Sequence, residues 1–197
     1  METIRQLIHD ALVLFAMVNA VGNLPVFAQY TAGMEPRNRS KIFLLAVATG
    51  GGIVLGFALF GDVMLRNVFS VSTSAFKIAG GILVFMVAAR GVILGSSQAI
   101  PDMNDSRSVA VFPLGFPFLA GPGTILTTIL LMQDNGRVFT ALTVVLVYLA
   151  ILPVLKLAPL VERIIGKIGV SVIARILYIF ICAKAVSFVL DGFRLHL

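Results

Sequence analysis

The sequence is poor in charged residues. Asp, Glu, Lys and Arg make up only 12% of its 197 residues, whereas hydrophobic residues make up 59% and the mean hydropathy is +1.04. A soluble domain carries roughly a quarter charged residues, and a chain of this length cannot hide so large an apolar surplus in one core. Lipid must therefore surround much of the chain, so the sequence predicts an integral membrane protein.

Residues that carry metal, redox or hydrolytic chemistry are also scarce. The single cysteine, Cys182, excludes an internal disulfide, and the two histidines, His9 and His196, stand at opposite ends of the chain. The spacing of a metal site is therefore absent. No Ser or Thr has a histidine at comparable membrane depth and the acids are not paired, which argues against an intramembrane hydrolase. We expect no enzyme activity, no cofactor and no metal.

The positive net charge of the chain does not indicate that it binds a nucleic acid. The formal net charge is +6 and the pI is about 10.0, but no basic run is interleaved with aromatic residues. Such a run is the usual footprint of a nucleic-acid-binding surface. Basic residues of membrane proteins gather in cytoplasmic loops, and this accounts for the charge.

Apolar stretches long enough to cross a bilayer, which takes about 20 residues, recur along the chain. Pro153 and Pro159 are expected to kink or end the fifth of them, and "LVERIIGKIG" after it is expected to be an interfacial connector. The sequence thus predicts an all-α, polytopic protein with six transmembrane helices. The predicted spans are residues 8–30, 42–64, 74–94, 109–132, 138–152 and 172–190.

Both termini should lie on one side, because the number of predicted spans is even. The loops after the first, third and fifth spans are richer in Lys and Arg, and the richer side should be cytoplasmic. We predict a multi-pass protein of the cytoplasmic (inner) membrane with both termini outside. The basic residues on the cytoplasmic side are Arg37, Arg39, Lys41, Arg107, Lys156, Arg163 and Lys167, with Arg90 nearby, against Arg5, Arg66, Arg137 and Arg194, with Lys77 nearby.

The polar segment 95–108 is expected to link two sets of three spans, 1–94 and 109–197, within one transmembrane domain. An odd number of spans in each half makes the halves inverted relative to one another, which predicts two inverted three-helix repeats. Broken helices at matching places of such halves point to the binding site of a transporter. At an offset of 99 residues, Gly22 falls on Gly121, Val71-Ser72 on Val170-Ser171, and Ala75 on Ala174.

Two predicted spans are interrupted by amides, glycines and prolines: "NAVGNLPVFAQY" (19–30) and "FPLGFPFLAGPGTI" (112–125). In hydrocarbon an unpaired backbone group costs several kcal/mol, so a helix breaks only where protein or a wet cavity supplies hydrogen bonds. The N-terminal end of a half-helix favours an anion. We therefore predict broken first and fourth helices around a ligand site. The alternative is packing alone, since Gly and Pro are common in membrane helices. For "TGGG" (49–52), close packing is the preferred interpretation.

The two motifs resemble those of the MarC family of bacterial and archaeal inner-membrane proteins. "NAVGNLPVF" is similar to the family's first-helix motif, and "FPLGFPFLAGPGTI" matches the second nearly throughout. The closing "LDGF" (190–193) also fits. One departure is Ala20, which stands where most members have proline and leaves Gly22 and Pro25 to break the helix. The resemblance implies proton-coupled transport of small neutral amino acids such as glycine and alanine.

The predicted ligand site lies between the first and fourth helices, near the bilayer midplane. The substrate carboxylate is expected to meet backbone N–H groups around Gly121–Thr124, and its ammonium to face the side-chain oxygens of Asn19 and Asn23. Lys184, deep in the sixth span, and Asp191 are candidates for a charge role, whereas Lys77 and Arg90 are expected to extend to the interface. The predicted binding residues are Asn19, Gly22, Asn23, Pro25, Gly121, Pro122, Gly123 and Thr124.

Several alternatives stay open at the level of sequence. A channel or an exporter of another small metabolite would use broken helices too, and a non-transporting assembly subunit of the membrane would show the same composition. The exact substrate, the transport direction, the coupling ion and the oligomeric state are not encoded in any motif. Lipid is the expected surrounding, a small neutral amino acid the expected ligand, and a proton the expected coupling ion.

Overall fold

The computed structural model describes residues 2–31, 34–94 and 106–194. Over these residues the chain is entirely helical or irregular, with no strand. Many large apolar side chains are exposed along the helices, as expected where lipid and not water is the surrounding medium. The prediction of an all-α membrane protein is thus confirmed.

The first segment is broken. Helix α1 (Glu2–Val18) ends in a turn over residues 19–23, and α2 (Leu24–Tyr30) follows. The turn begins at Asn19, whose φ of 52° places it in the left-handed region, which asparagine visits more readily than most residues. Gly22 lies within this turn, as expected of a residue that breaks the helix, whereas the expectation for Pro25 was wrong. Pro25 is the second residue of α2, a position in the first turn where proline is tolerated.

The next two helices run close to their predicted bounds. Helix α3 (Pro36–Val63) begins with a proline and continues through a wider turn over Met64–Val68, and α4 is Thr73–Leu94. Within α3, a Cβ at Gly50 would lie 2.9 Å from Leu119 Cβ. Glycine there lets α3 approach the second broken segment closely, so close packing holds for Gly50, whereas a Cβ at Gly52 would have nothing within 4 Å.

The second broken segment follows residues 95–105, which lie outside the described part of the chain. It comprises α5 (Ser106–Val109), a wide-turned stretch Ala110–Leu119, and α6 (Pro122–Asn135), and the axis bends by 57° between the last two. Phe112 (φ −134°, ψ 123°) and Phe116 (φ −132°, ψ 130°) are extended. Each precedes a proline, which disfavours the helical conformation of the preceding residue.

The last helix, α7 (Arg137–Arg194), contains two candidate spans, Arg137–Leu157 and Ser171–Arg194. Its backbone departs from helical geometry at Gly166, with φ 70° and ψ 167°. The helix does not end at Pro153 or Pro159, which was one of the two expected outcomes, because helical backbone continues through both; a kink there stays a prediction. The break instead falls in "LVERIIGKIG", the expected connector, at a glycine that accepts a positive φ without strain.

Among the described residues, four helices are long and apolar enough to span a membrane, or five if the bent pair is one span. The halves of the first segment, 17 and 7 residues long, each fall short of spanning length. Multi-pass membrane insertion is therefore supported. The number six and the inverted repeat stay predictions.

Packing divides the interior into two main clusters. The larger joins the first broken segment, α3, the stretch before α6 and the first half of α7, and the smaller joins α4, α6 and the second half of α7. Glycines let α4 approach the last span closely: a Cβ at Gly81 would lie 2.8 Å from Val189 Cγ2. Both helix breaks lie where the two clusters meet.

Candidate functional site

A cavity of about 250 Å³ lies where the two helix breaks meet. It extends from the breaks to the C-terminal end of α4, with the first part of the last span as a further wall. It is smaller than the roughly 300–1,000 Å³ of pockets that hold drug-sized ligands. Its lining residues are Met17, Val18, Asn19, Asn23, Val84, Val87, Ala88, Arg90, Gly91, Leu94, Pro117, Phe118, Gly121, Pro122, Gly123, Thr124, Tyr178 and Ile181.

Asn19 forms the corner of the first break. Its side-chain oxygen accepts a hydrogen bond of 3.2 Å from the Gly22 backbone N–H, so the side chain folds back over the turn. A Cβ at Gly22 would overlap the Asn19 amide. Gly22 thus does not line the cavity but leaves room for Asn19, which does.

Asn23 ties the two breaks and the last span together. Its side-chain nitrogen donates to the Phe118 carbonyl at 3.1 Å and the Val18 carbonyl at 3.3 Å. Its side-chain oxygen accepts from the Tyr178 hydroxyl at 3.3 Å. Asn23 is only 4% exposed, and these bonds satisfy carbonyls that the helix breaks leave without regular partners.

The second break presents the N-terminus of α6 to the cavity. Gly121 precedes this helix with an extended backbone (φ −72°, ψ 169°) and no side-chain cap, and its carbonyl accepts from Ile125 N–H at 3.0 Å. Pro122 has no N–H, so the first-turn donors are those of Gly123 and Thr124, which have no intrahelical acceptor. Aligned peptide dipoles add a partial positive charge there.

One buried polar atom at this cavity is unsatisfied. Among the described residues, the buried side-chain atoms without a hydrogen-bond partner are Asn19 Nδ2, Arg39 Nε and Thr127 Oγ1. Asn19 lines the cavity and is 5% exposed. A buried donor left unpaired costs about 1–3 kcal/mol, and this one belongs to a residue of the cavity lining.

The structure brings most of the predicted binding residues to one place. Asn19, Asn23, Gly121, Pro122, Gly123 and Thr124 line the same cavity, although the two motifs are about a hundred residues apart in sequence. Gly22 is not a lining residue, but its backbone N–H holds the Asn19 side chain in place. The side chain of Pro25 lies outside the described part of the structure.

The charged residues differ from expectation. Lys184 does not line the cavity, and its Nζ lies 5.3 Å from the centre of the Phe188 ring. Asp191 is also away from it, 3.9 Å from Arg194 Nη1. Arg90, which was expected only to extend to the interface, lines the cavity. Sequence reasoning missed Tyr178 altogether, because an aromatic residue within a span is no sign of a site.

The side-chain oxygens of Asn19 and Asn23 were expected to face the substrate ammonium. Each accepts one hydrogen bond within the protein, from Gly22 N–H and from the Tyr178 hydroxyl, and each keeps a second lone pair. The expected contact with an ammonium therefore stays a prediction. The unpaired atom, Asn19 Nδ2, is a donor.

Polar contacts join the helices at the opposite end of the bundle. Asn135 Nδ2 donates to Asp10 Oδ2 at 2.8 Å, and Gln6 donates to Asp10 Oδ1 at 3.0 Å. Gln133 donates to the Thr73 hydroxyl at 3.1 Å. Asp10 is 2% exposed. These contacts link α1 and the start of α4 to the end of α6.

Comparison with known proteins supports the resemblance of the two motifs. Residues 4–197 match the MarC family of integral membrane proteins. A UPF0056 membrane protein of Archaeoglobus fulgidus is 36% identical, covering 91% of this chain and 88% of that protein. The UPF0056 membrane protein YhcE of Escherichia coli K12 is 31% identical, covering 92% and 88%. No solved structure matches. The chain therefore belongs to the MarC family of integral membrane proteins.

Proposed function

We propose that the protein is a secondary transporter of small neutral amino acids of the size of glycine and alanine. The observation that carries the proposal is the meeting of two broken helices at one small cavity. Half-helix N–H groups, two buried amides and close-approaching glycines are the features by which broken-helix transporters bind ligands near the bilayer midplane. Packing alone gives no reason to leave a buried amide donor unpaired.

Glycine and alanine fit the cavity by size and polarity. Met17 and Val84 line the cavity beside Gly123 and lie within 3.4 Å of where a Cβ at Gly123 would be. We place the short side chain of the ligand in the cavity of about 250 Å³ that these residues help to line. A carboxylate is suited to the first turn of α6. Asn19, Asn23, Gly121, Pro122, Gly123 and Thr124 are the proposed binding residues, and Lys184 and Asp191 are not part of this proposal.

The test of this function is flux. Purified protein in liposomes should take up labelled glycine and alanine and exchange them in counterflow, with and without a pH gradient. Saturable flux with counterflow supports a transporter. Flux that does not saturate would indicate a channel, and absence of flux in correctly inserted protein would leave an assembly subunit as the better interpretation.

We propose six spans with both termini outside the cytoplasmic membrane. This orientation follows from the excess of basic residues in the loops after the first, third and fifth spans. It places the C-terminal end of α4, to which the cavity extends, on the cytoplasmic side. Reporter fusions after Gly95 and after Arg194 are expected to report cytoplasm and exterior, respectively. The reverse result would refute the orientation, and two fusions on the same side would refute the number of spans.

Alternating access requires the opposite end of the bundle to open. The bonds of Asp10 with Asn135 and of Thr73 with Gln133 join the helices at that end, and we propose that they separate when the ligand exchanges with the outside. A rigid-body movement of one half against the other is the usual way in which such transporters change access. The 57° bend before α6 and the positive φ at Gly166 are candidate hinges.

Asp10 is the candidate for proton coupling. Of the acidic side chains that the structure describes, it is the one that is buried, and His9, Gln6 and Asn135 contact its carboxylate. Asp10→Asn keeps the shape of the side chain but replaces one of its two acceptor oxygens with an NH2 donor, so it removes the acid together with one of the two accepted hydrogen bonds. We expect it to abolish the acceleration of uptake by a pH gradient and to leave counterflow largely intact.

The control for this variant is Asp191→Asn, which removes a partly exposed carboxylate away from the Asp10 contacts. It should retain the response to the pH gradient. If Asp10→Asn responds to the gradient as the unsubstituted protein does, Asp10 does not couple protons to transport.

A further inference from the structure

The unpaired polar groups of the cavity-lining residues are mainly hydrogen-bond donors, and the charged side chain among them is a cation. Among the described residues that line the cavity, Arg90 is the charged one, and none of these residues is Asp or Glu. Arg90 makes no salt bridge with any residue that the structure describes. Arg90 is exposed and stands near the C-terminal end of α4, so its side chain can also reach the membrane interface. Its place in the lining makes it a functional candidate, provided that a partner for it can be named.

The identity of the free atom on Asn19 follows from its neighbour. A backbone N–H can only donate, so the side-chain atom facing Gly22 N–H must be the oxygen, and the atom left unpaired must be the nitrogen. This donor is buried and belongs to a cavity-lining residue. It is independent of the helix N-terminus at Gly123 and Thr124, yet it requires the same kind of ligand group.

Among the described lining residues, the cavity offers a substrate ammonium no acid. The oxygens of Asn19 and Asn23 and the Phe118 carbonyl each accept one hydrogen bond within the protein, and each keeps a second lone pair. A desolvated ammonium needs an acid or several free carbonyls. The described lining residues therefore give the anionic end of an amino acid a charged partner, Arg90, and give its cationic end only these remaining lone pairs.

We infer that this cavity recognises the carboxylate of its ligand through Arg90, the Asn19 amide and the N-terminus of α6, and that small monocarboxylates without an amino group are ligands as well. The inference rests on the proposed function, because it assigns chemistry to the same cavity. Arg90 is then a specificity-determining residue. Acids of two or three carbons, such as glycolate and propionate, compete with glycine and alanine for it.

The test is equilibrium binding to purified full-length protein in lipid nanodiscs, with labelled glycine competed by propionate, glycolate and glycinamide. Propionate and glycolate are expected to compete about as well as unlabelled glycine, and glycinamide, which lacks the carboxylate, is expected not to compete. Arg90→Gln should weaken glycine and propionate alike by roughly 10- to 100-fold, the effect of losing a hydrogen bond to a charged group. Arg90→Lys should restore part of that loss, since it restores the charge.

The matched control is Arg175→Gln, which removes an exposed arginine from the last span outside the cavity lining. It should leave both affinities unchanged. If Arg90 only contacts lipid phosphates, Arg90→Gln will behave like Arg175→Gln, and the inference fails while glycine binding survives. Glycine binding that propionate cannot displace also overturns it. If neither ligand binds, the proposed function fails together with the inference.

Discussion

Gly123→Val is expected to abolish amino-acid uptake while the protein still inserts into the membrane. A Cβ at Gly123 would lie 2.9 Å from the Met17 methyl carbon and 3.3 and 3.4 Å from the two Val84 methyl carbons. The Met17 side chain is flexible and can yield to one added carbon. The two further carbons of valine would occupy the space beside the first turn of α6, where we place the ligand. Uptake in liposomes, normalised to the amount of inserted protein, measures the loss.

A graded series separates a filled site from a misfolded protein. Gly123→Ala should retain part of the activity, because only Met17 must move appreciably. Gly52→Val is the matched control: it makes the same substitution in a membrane helix where an added Cβ meets nothing within 4 Å, and it should transport normally. Normal uptake by Gly123→Val would show that the ligand does not occupy this cavity.

Asn23→Ala is expected to weaken ligand binding by roughly 1–3 kcal/mol, or about 5- to 150-fold, because a hydrogen-bonded polar group at the site is lost. The substitution removes two donated bonds, to Val18 and Phe118, and the acceptor for Tyr178. These bonds hold the two breaks in register, so stability should fall as well. Binding and thermal unfolding are both measured on purified protein.

The control for Asn23 is Asn38→Ala, which removes an exposed amide near the start of α3. It should change neither binding nor the unfolding temperature. Loss of stability without loss of affinity in Asn23→Ala would make Asn23 a packing residue only. Unchanged affinity in both Gly123→Val and Asn23→Ala would reduce the breaks to packing features.

The sequence located the broken segments because their causes are local. A proline constrains its own residue and the one before it, and Phe112 and Phe116 are extended as that rule requires. The first turn was assigned to Gly22, which lies in it, and to Pro25, which does not, whereas the left-handed residue is Asn19. The choice among asparagine, glycine and proline there depends on a hydrogen bond that forms only after the chain has turned.

The sequence could not predict that Arg90 lines the cavity. Helix α4 is apolar around most of its circumference, so the spacing of its apolar residues does not indicate which face turns inward. Its rotation is set by glycines that contact the last span, such as Gly81 and Gly91. For the same reason Lys184 could not be assigned to the lipid side in advance. Contacts between helices, and not local propensity, decide these positions.

Asn19 and Gly22 constrain how this protein can be altered over evolution or by design. The backbone at position 19 has φ 52°, which few residues other than Gly, Asn and Asp accept cheaply. A side chain at position 22 would displace the Asn19 amide from its place over the turn. The residues that are tolerated at position 19 therefore depend on the residue at position 22, and the reverse is also true. A different polar group in place of the Asn19 amide requires substitution of both residues together, because a variant with only one of the two substitutions would have a distorted turn.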